Sequence, residues 1–452
     1  MKRRFYIETY GCQMNVADSE LMAGILAAAE LTPVEAPEAA DVILLNTCAI
    51  REHAEQRVLG RIGQLQRVRR DRPTLKLGVV GCMAQELKGE LLAKSGGVDF
   101  VVGPDGYRDL PRLLDDLDSS RERRVHANLL RVEPYARLLP LRKDPFSVWV
   151  SIIRGCDKFC SYCIVPFTRG RERSRAAADV LSEVEAAAAG GAREVTLLGQ
   201  NVNSYRGDDG AGGTLGLAGL IERVAEVPGI ARVRYTTSHP QDFGAELIRL
   251  HASHPRVCPF LHLPVQSGSN AVLARMNRTY TREAYLTKVD ALRQAAPDMA
   301  LSTDVIVGFP GESDDDFAAT VSLMEEVRYD AAFLFKYSPR RGTRAARLPD
   351  TVPEEVAQTR LETLIELQRR HTEAALAACV GRTVEVLVNG PAARGAGFVQ
   401  GRDPHFRSVL FAGSAGLAGR LVPVRITGSS GKTLLGRRAG TELAASPLVS
   451  IG

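Results

Sequence analysis

Residues 154–163 read RGCDKFCSYC, which sets three cysteines at C-x3-C-x2-C spacing between Gly155 and Pro166. Thiolates are soft metal ligands, and three in one short loop point to metal rather than to packing. A structural zinc site closes with four ligands, and this loop supplies no second cysteine pair and no histidine. A thioredoxin-like dithiol uses two thiols, and the third argues against it. An iron–sulfur cubane held by three cysteines keeps one iron open to a small chelating molecule, so Cys156, Cys160 and Cys163 are candidate ligands of such a site. A second set is scattered: Cys12, Cys48 and Cys82 each stand just past the C-terminal end of a predicted strand. Strand ends of a parallel sheet share one rim, where ligands collect, so these three could converge. Buried structural cysteine is the alternative for them, and is the reading for Cys258 and Cys379, which have no partners in the sequence.

The elements that must position these thiols follow from periodicity. Runs 4–10, 41–47 and 75–81 are apolar or β-branched stretches of strand length, each leading into a helical pattern, which implies βαβ units and a parallel sheet. The polar run SSRERR (119–124) and a proline-rich stretch then read as a linker. From Phe146 six further strand candidates (148–154, 194–199, 232–237, 259–265, 301–308 and 331–337) alternate with helices, and a long helix at 353–378 stands where a seventh unit would begin. After it come short strands broken by glycine. The fold class is therefore α/β. A parallel α/β domain spans 1–120, a linker 121–145, a partial (β/α)6 TIM-like barrel 146–375, and a small all-β barrel 376–441.

At 452 residues, 45% hydrophobic and 25% charged, the chain has material for two or three cores. No apolar run approaches the roughly 18 residues of a membrane span, and the start MKRRFYIETYGCQ lacks a signal-peptide core, so the expected compartment is the cytoplasm, without a membrane partner. Eight cysteines in such a chain suit metal or redox use rather than disulfides. From Val380 onward nine Arg and Lys face three acids, a basic tail that suits a polyanion such as nucleic acid.

The cysteine loop after the first barrel strand resembles the radical S-adenosylmethionine (SAM) superfamily. YGCQMNVADSE (10–20), NTCAIREHAEQRV (46–58) and GVVGCMAQ (78–85) resemble the methylthiotransferase family within it. GCQMN and RGCDKFCSYCIVPFTRGRERSR are similar to the branch that acts on N6-isopentenyladenosine of tRNA, and further likeness lies in LLGQNVNSY, FLHLPVQSGSNAVLARMNR, TDVIVGFPGE and YSPRRGTRAA. The basic β domain is similar to the RNA-binding TRAM domain. The resemblance implies two 4Fe-4S clusters, one on each cysteine set, with SAM on the open iron of the barrel cluster. It implies methylthiolation of C2 of the base at position 37, beside the tRNA anticodon. The C2–H bond is neither acidic nor electrophilic, so the reaction needs a radical, with two SAM molecules and sulfur from the second cluster. The partners implied are the tRNA anticodon stem-loop and an electron donor such as flavodoxin or ferredoxin. The alternatives are methylthiolation of a threonylcarbamoyladenosine tRNA or a ribosomal protein, or a non-catalytic RNA-binding iron–sulfur protein.

SAM contacts are expected at the C-terminal strand ends, from Gln200, Ser238, Gln266, Gly308 and Gly311, the glycines giving the cofactor close backbone approach. Arg169, Arg171, Arg173 and Arg175, in TRGRERSR, are expected to meet RNA phosphates or the SAM carboxylate, a solvated charged face being the alternative. In the C-terminal domain Arg394, Arg402 and Lys432 are candidate RNA contacts. Phe398, Phe406 and Phe411 interleave with arginines there, with core filling the alternative for at least two of them.

Overall fold

The structure, a computed structural model, describes residues 2–440 apart from 50–51, 95–96, 121–122, 133–134 and 394. Its N-terminal sheet has six strands, all parallel, in the spatial order Thr32–Pro33, Arg4–Thr9, Val42–Thr47, Lys76–Gly81, Phe100–Val102, Arg124–His126. Val42–Thr47 is buried along its whole length, as an apolar run in the middle of a parallel sheet must be. Its alternate residues feed two cores. Leu44 packs with Phe5, Met22, Leu26 and Phe100 on one face, and Ile43 and Leu45 pack with Val58, Ile62 and Met83 on the other. Arg124–His126 falls in the stretch expected to be linker. It pairs with Phe100–Val102 as the sixth strand, and its three half-exposed residues are too few for a period-2 signal.

Six parallel strands form the central barrel in two sets of three. Ser147–Ser151, Glu194–Leu198 and Arg232–Thr236 are hydrogen-bonded in one set, and Phe260–His262, Ala300–Val307 and Ala331–Lys336 in the other, with a single bridge, Val233 to Val257, where the sets meet. Outward residues such as Val148, Val195, Val233, Leu261 and Val305 pack under the helices in one continuous core. The opposite parity of each strand therefore faces the interior. The wall stays open at the last strand, where Phe333 and Phe335 are 50% and 38% exposed.

The helix Glu354–Ala377 leads to a closed five-stranded barrel, Thr383–Pro391, Phe398–Arg402, Ser408–Ala412, Thr433–Arg438 and Leu421–Ser430 in spatial order, filled by Val386, Val399, Val409, Phe411, Val424 and Leu434. It seats against the N-terminal ends of the central barrel strands. Arg232 and Arg234 donate to the carbonyls of Arg402, Glu385, Pro404 and Asp403, Phe406 packs on Phe260 with ring centroids 5.1 Å apart, and Arg407 pairs with Asp330 at 2.8 Å. The chemistry-bearing loops leave the opposite, C-terminal ends.

Candidate metal centre

Cys156, Cys160 and Cys163 lie in the loop after Ile153–Arg154. Gly155 sits at φ +80°, and a Cβ there would stand 2.0 Å from the Arg171 carbonyl oxygen, so only glycine closes this turn. The Cys156 N–H donates to the Gly170 carbonyl at 3.1 Å, and Ser161 is held by the Met276 and Arg275 carbonyls. Burial pushes the Cys156 and Cys163 thiols up to about 12, so a metal must displace their protons.

Arg278 supplies the test of what the loop can hold. It is buried, its Nη1 is 3.6 Å from the Cys160 sulfur, and its guanidinium lies over Tyr162 and Tyr280. Its Nε has no hydrogen-bond partner, and among the described residues no carboxylate pairs with it. A buried cation beside three thiols and without a counter-ion fits an anionic thiolate-held cluster. Sequence reasoning missed Arg278, because MNR reads as an ordinary helix end until the loop is folded over it.

The second set also converges. Cys12 caps the helix Gln13–Ala28, Cys48 follows Val42–Thr47, and Cys82 opens the helix Cys82–Leu87 after Gly81 at φ +95°. A Cβ on Gly11 would lie 2.7 Å from the Cys48 Cβ. Buried Asn15 and Asn46 lock these strand ends. Asn15 donates to Asn46 Oδ1 and the Thr47 carbonyl, and Asn46 donates to the Asn15 carbonyl and Ser19. A hydrogen bond from Cys48, helped by the Arg169 charge, lowers the Cys12 thiol to about 6, whereas burial raises Cys82 against the same charge. Among the described residues no three His, Cys, Asp or Glu side chains are placed to share one metal ion. A cubane instead spreads its thiolates over separate irons.

Three of the four arginines after the loop are not at the surface, which corrects their reading as phosphate contacts. Arg169 donates Nε–H to the Cys82 sulfur at 3.1 Å and pairs with Asp18 at 2.7 Å. Asp18, fully buried, also takes Arg154 at 2.9 Å. Arg173 grips Asp105 with both Nη atoms, at 2.8 and 3.0 Å, and Arg175 pairs with Glu183. Arg169 and Arg173 thus clamp the N-terminal domain to the barrel. Arg171 is exposed, paired with Asp157 and placed over Phe159.

The predicted SAM contacts divide. Gln200 accepts the Gly155 N–H at 2.7 Å and so supports the cysteine loop. Ser238 is buried with a hydroxyl that has no partner, as a ligand-facing group would be. Gln266, at φ +71°, continues the sheet through its backbone to Asp304 and Ile306. At Gly308 and Gly311 the close neighbours are the chain's own. Gly308 and Gly311 take φ +70° and +76°, which favours glycine at both, and at Gly308 a Cβ would also stand 2.7 Å from the Ala357 Cβ.

In the C-terminal barrel Arg402 lies against Phe406, 4.0 Å from its ring centroid, under the central barrel, and is not an open phosphate site. Phe411 fills the core, Phe398 is half-buried, and Phe406 belongs to the interdomain seat, so core filling accounts for one of the three. Lys432 is exposed at the turn between the last two strands, and exposed Arg425 and Arg437 face each other across those strands further along the hairpin. Arg394 lies outside the described residues.

Comparison with known proteins matches residues 4–103 to "Uncharacterized protein family UPF0004", 150–324 to the radical SAM superfamily and 377–438 to the TRAM domain. The chain is 45% identical over 436 residues to the tRNA-2-methylthio-N(6)-dimethylallyladenosine synthase of Chloroherpeton thalassium, covering 96% of each protein. To the protein of the same name from Porphyromonas gingivalis it is 46% identical over 441 residues, covering 96% of this chain and 95% of the relative. The chain belongs to the radical SAM methylthiotransferase family. Among solved structures, the radical SAM methyltransferase TsrM from Kitasatospora setae matches this methylthiotransferase with a TM-score of 0.56 at 14% identity, covering 76% of this chain and 77% of that one. The radical SAM enzyme OxsB matches with a TM-score of 0.52 at 12% identity, over 82% of this chain and 56% of that one. These two likenesses are of fold. Among the described residues no helix is long and apolar enough to cross a membrane.

Proposed function

We propose that this protein converts N6-isopentenyladenosine at position 37, beside the tRNA anticodon, to its 2-methylthio form. The reading places two 4Fe-4S clusters on the two cysteine sets, consumes two SAM molecules, and works in the cytoplasm with an electron donor such as flavodoxin or ferredoxin. The observation that carries it is the pair of three-thiol sites on neighbouring rims, each beside a buried arginine. When bound, the barrel cluster and SAM supply the radical and the second cluster supplies the sulfur.

The chain's own residues bind, orient and exclude water. Arg278 offsets the negative charge at the barrel loop, and Ser238, with its unpartnered hydroxyl, faces the SAM site. Trp149, Met14, Ala17 and Leu198 form an apolar cluster that includes Cys12 and shields that thiol from water on that side. Phe333 and Phe335 present aromatic faces on the interior of the last strand. His262 lies edge-on to Phe333 and 3.5 Å from Asp304, a stacking surface with polar groups beside it that suits an extruded base. Exposed Arg425, Arg437 and, at the hairpin turn, Lys432 are spread along one hairpin as cations available to stem phosphates, giving affinity without sequence reading.

The test is anaerobic reconstitution with iron and sulfide, then incubation with SAM, a reductant and tRNA bearing the isopentenyl group. The expected products are 5′-deoxyadenosine and, by nucleoside mass analysis, the methylthiolated base. No 5′-deoxyadenosine would eliminate the radical reading, and thiolation of threonylcarbamoyladenosine instead would reassign the substrate.

A further inference from the structure

We infer that Arg169 is a positioning residue that couples the two cysteine sites, holding the sulfur of Cys82 with its guanidinium while the next peptide holds the backbone of Cys156. The inference rests on the reading of Cys12, Cys48 and Cys82 as ligands of a second cluster. Arg169 is 2% exposed, and its Nε–H is spent on the Cys82 sulfur. The Gly170 carbonyl accepts from Cys156 N–H, and the Arg169 carbonyl is itself pinned by Arg173 Nη2 at 2.9 Å. Two consecutive residues therefore touch both sites.

Charge gives the segment its second job. Asp18, fully buried, pairs with Arg169 at 2.7 Å and holds its charged guanidinium against the N-terminal thiols. The Nη2 of Arg169 has no hydrogen-bond partner within the chain, and a buried donor of this kind is costly unless something accepts from it. An anionic sulfur of a cluster carried by Cys12, Cys48 and Cys82 meets that need. A donor and a positive charge at a ligating sulfur stabilise the reduced cluster and so raise its reduction potential. Arg169 acts on the N-terminal site through hydrogen bond and charge, and on the barrel site only through backbone geometry. Its electrostatic effect is therefore one-sided.

The experiment uses full-length protein carrying either cluster alone, with Cys156, Cys160 and Cys163 or Cys12, Cys48 and Cys82 replaced by alanine. Each form is titrated potentiometrically and read by electron paramagnetic resonance. Arg169→Gln should lower the reduced-to-oxidised ratio of the N-terminal cluster at fixed poise by at least tenfold, about 59 mV for a one-electron couple. It should leave the barrel cluster's ratio within twofold. Arg169→Lys, which keeps the charge, should recover most of the shift. Should Arg169→Gln fail to fold, Arg169→Lys alone must still show a smaller shift of the same sign. An unchanged ratio with iron content intact, or equal shifts in both clusters, overturns the inference. Failure of the form lacking the barrel cysteines to bind any cluster overturns the two-cluster reading beneath it.

Discussion

Replacing Arg173 separates a structural clamp from an RNA contact. Its side chain is 5% exposed and that of Asp105 1%, and the two share paired hydrogen bonds at 2.8 and 3.0 Å. In Arg173→Met the Asp105 carboxylate keeps a backbone donor, the Leu130 N–H at 2.9 Å, but is buried without its cation. Breaking a buried pair by removing one partner costs about 3–5 kcal/mol. At about 1.36 kcal/mol per decade the population of the opened interface rises by roughly two to four decades. Replacing both partners, as in Arg173→Met with Asp105→Leu, should recover most of the loss, because apolar groups of similar volume substitute well for a buried pair. Denaturant unfolding gives the free energies, and hydrogen exchange over Phe100–Val102 and Arg124–His126 shows where the structure opens. A stability change below about 1 kcal/mol, together with a salt dependence of tRNA binding reduced by about one ion, would make Arg173 a phosphate contact and refute the clamp.

Other changes test separate parts of the molecule. Gly155→Ala forces a Cβ against the Arg171 carbonyl and should abolish the barrel cluster while sparing the N-terminal one, a loss of about four irons per chain by iron analysis. Arg425→Gln, Lys432→Gln and Arg437→Gln together should weaken tRNA binding uniformly across sequences and reduce the salt slope by about two to three, with thermal stability unchanged. Phe333→Ala removes a stacking face worth about 1–3 kcal/mol, so KM for tRNA should rise while SAM binding measured without tRNA stays constant. Burial lowers the pKa of His251 to about 4, against an ordinary value near 6.5 in the unfolded chain. Its contribution is therefore complete above about pH 6.5 and is lost as pH falls toward 4, about 2 kcal/mol by pH 5. Melting temperatures from pH 7 to 5 should fall more steeply for the wild type than for His251→Gln.

The parallel sheets, the six barrel strands and the cysteine placement were legible in the sequence, because apolar strand runs and strand-end thiols are local patterns. The arginine run was not. Arg169 and Arg173 read as solvated charge because their partners, Asp18 and Asp105, lie 151 and 68 residues away along the chain. Gly308 was ambiguous for the same reason, since Ala357, which crowds it, comes from elsewhere, while Gly311 owes its glycine to a φ of +76° that a turn for close cofactor approach would share. Phe406 carries no sequence signal separating a core aromatic from one seated on Phe260 of another domain. Short edge strands such as Arg124–His126 form because a neighbour offers unpaired backbone, which composition cannot reveal.

The seat of the C-terminal barrel has a consequence for how truncations of this enzyme behave. Its 402–407 turn works as a stopper under the central barrel, covering Arg234 and Glu194, which are 3% and 1% exposed. Removing that domain would unplug the floor as well as discard RNA affinity, letting bulk water reach the inward-facing wall from below. A truncated enzyme should therefore leak. Its 5′-deoxyadenosine output per thiolated base should climb, and adding more tRNA should not restore the ratio.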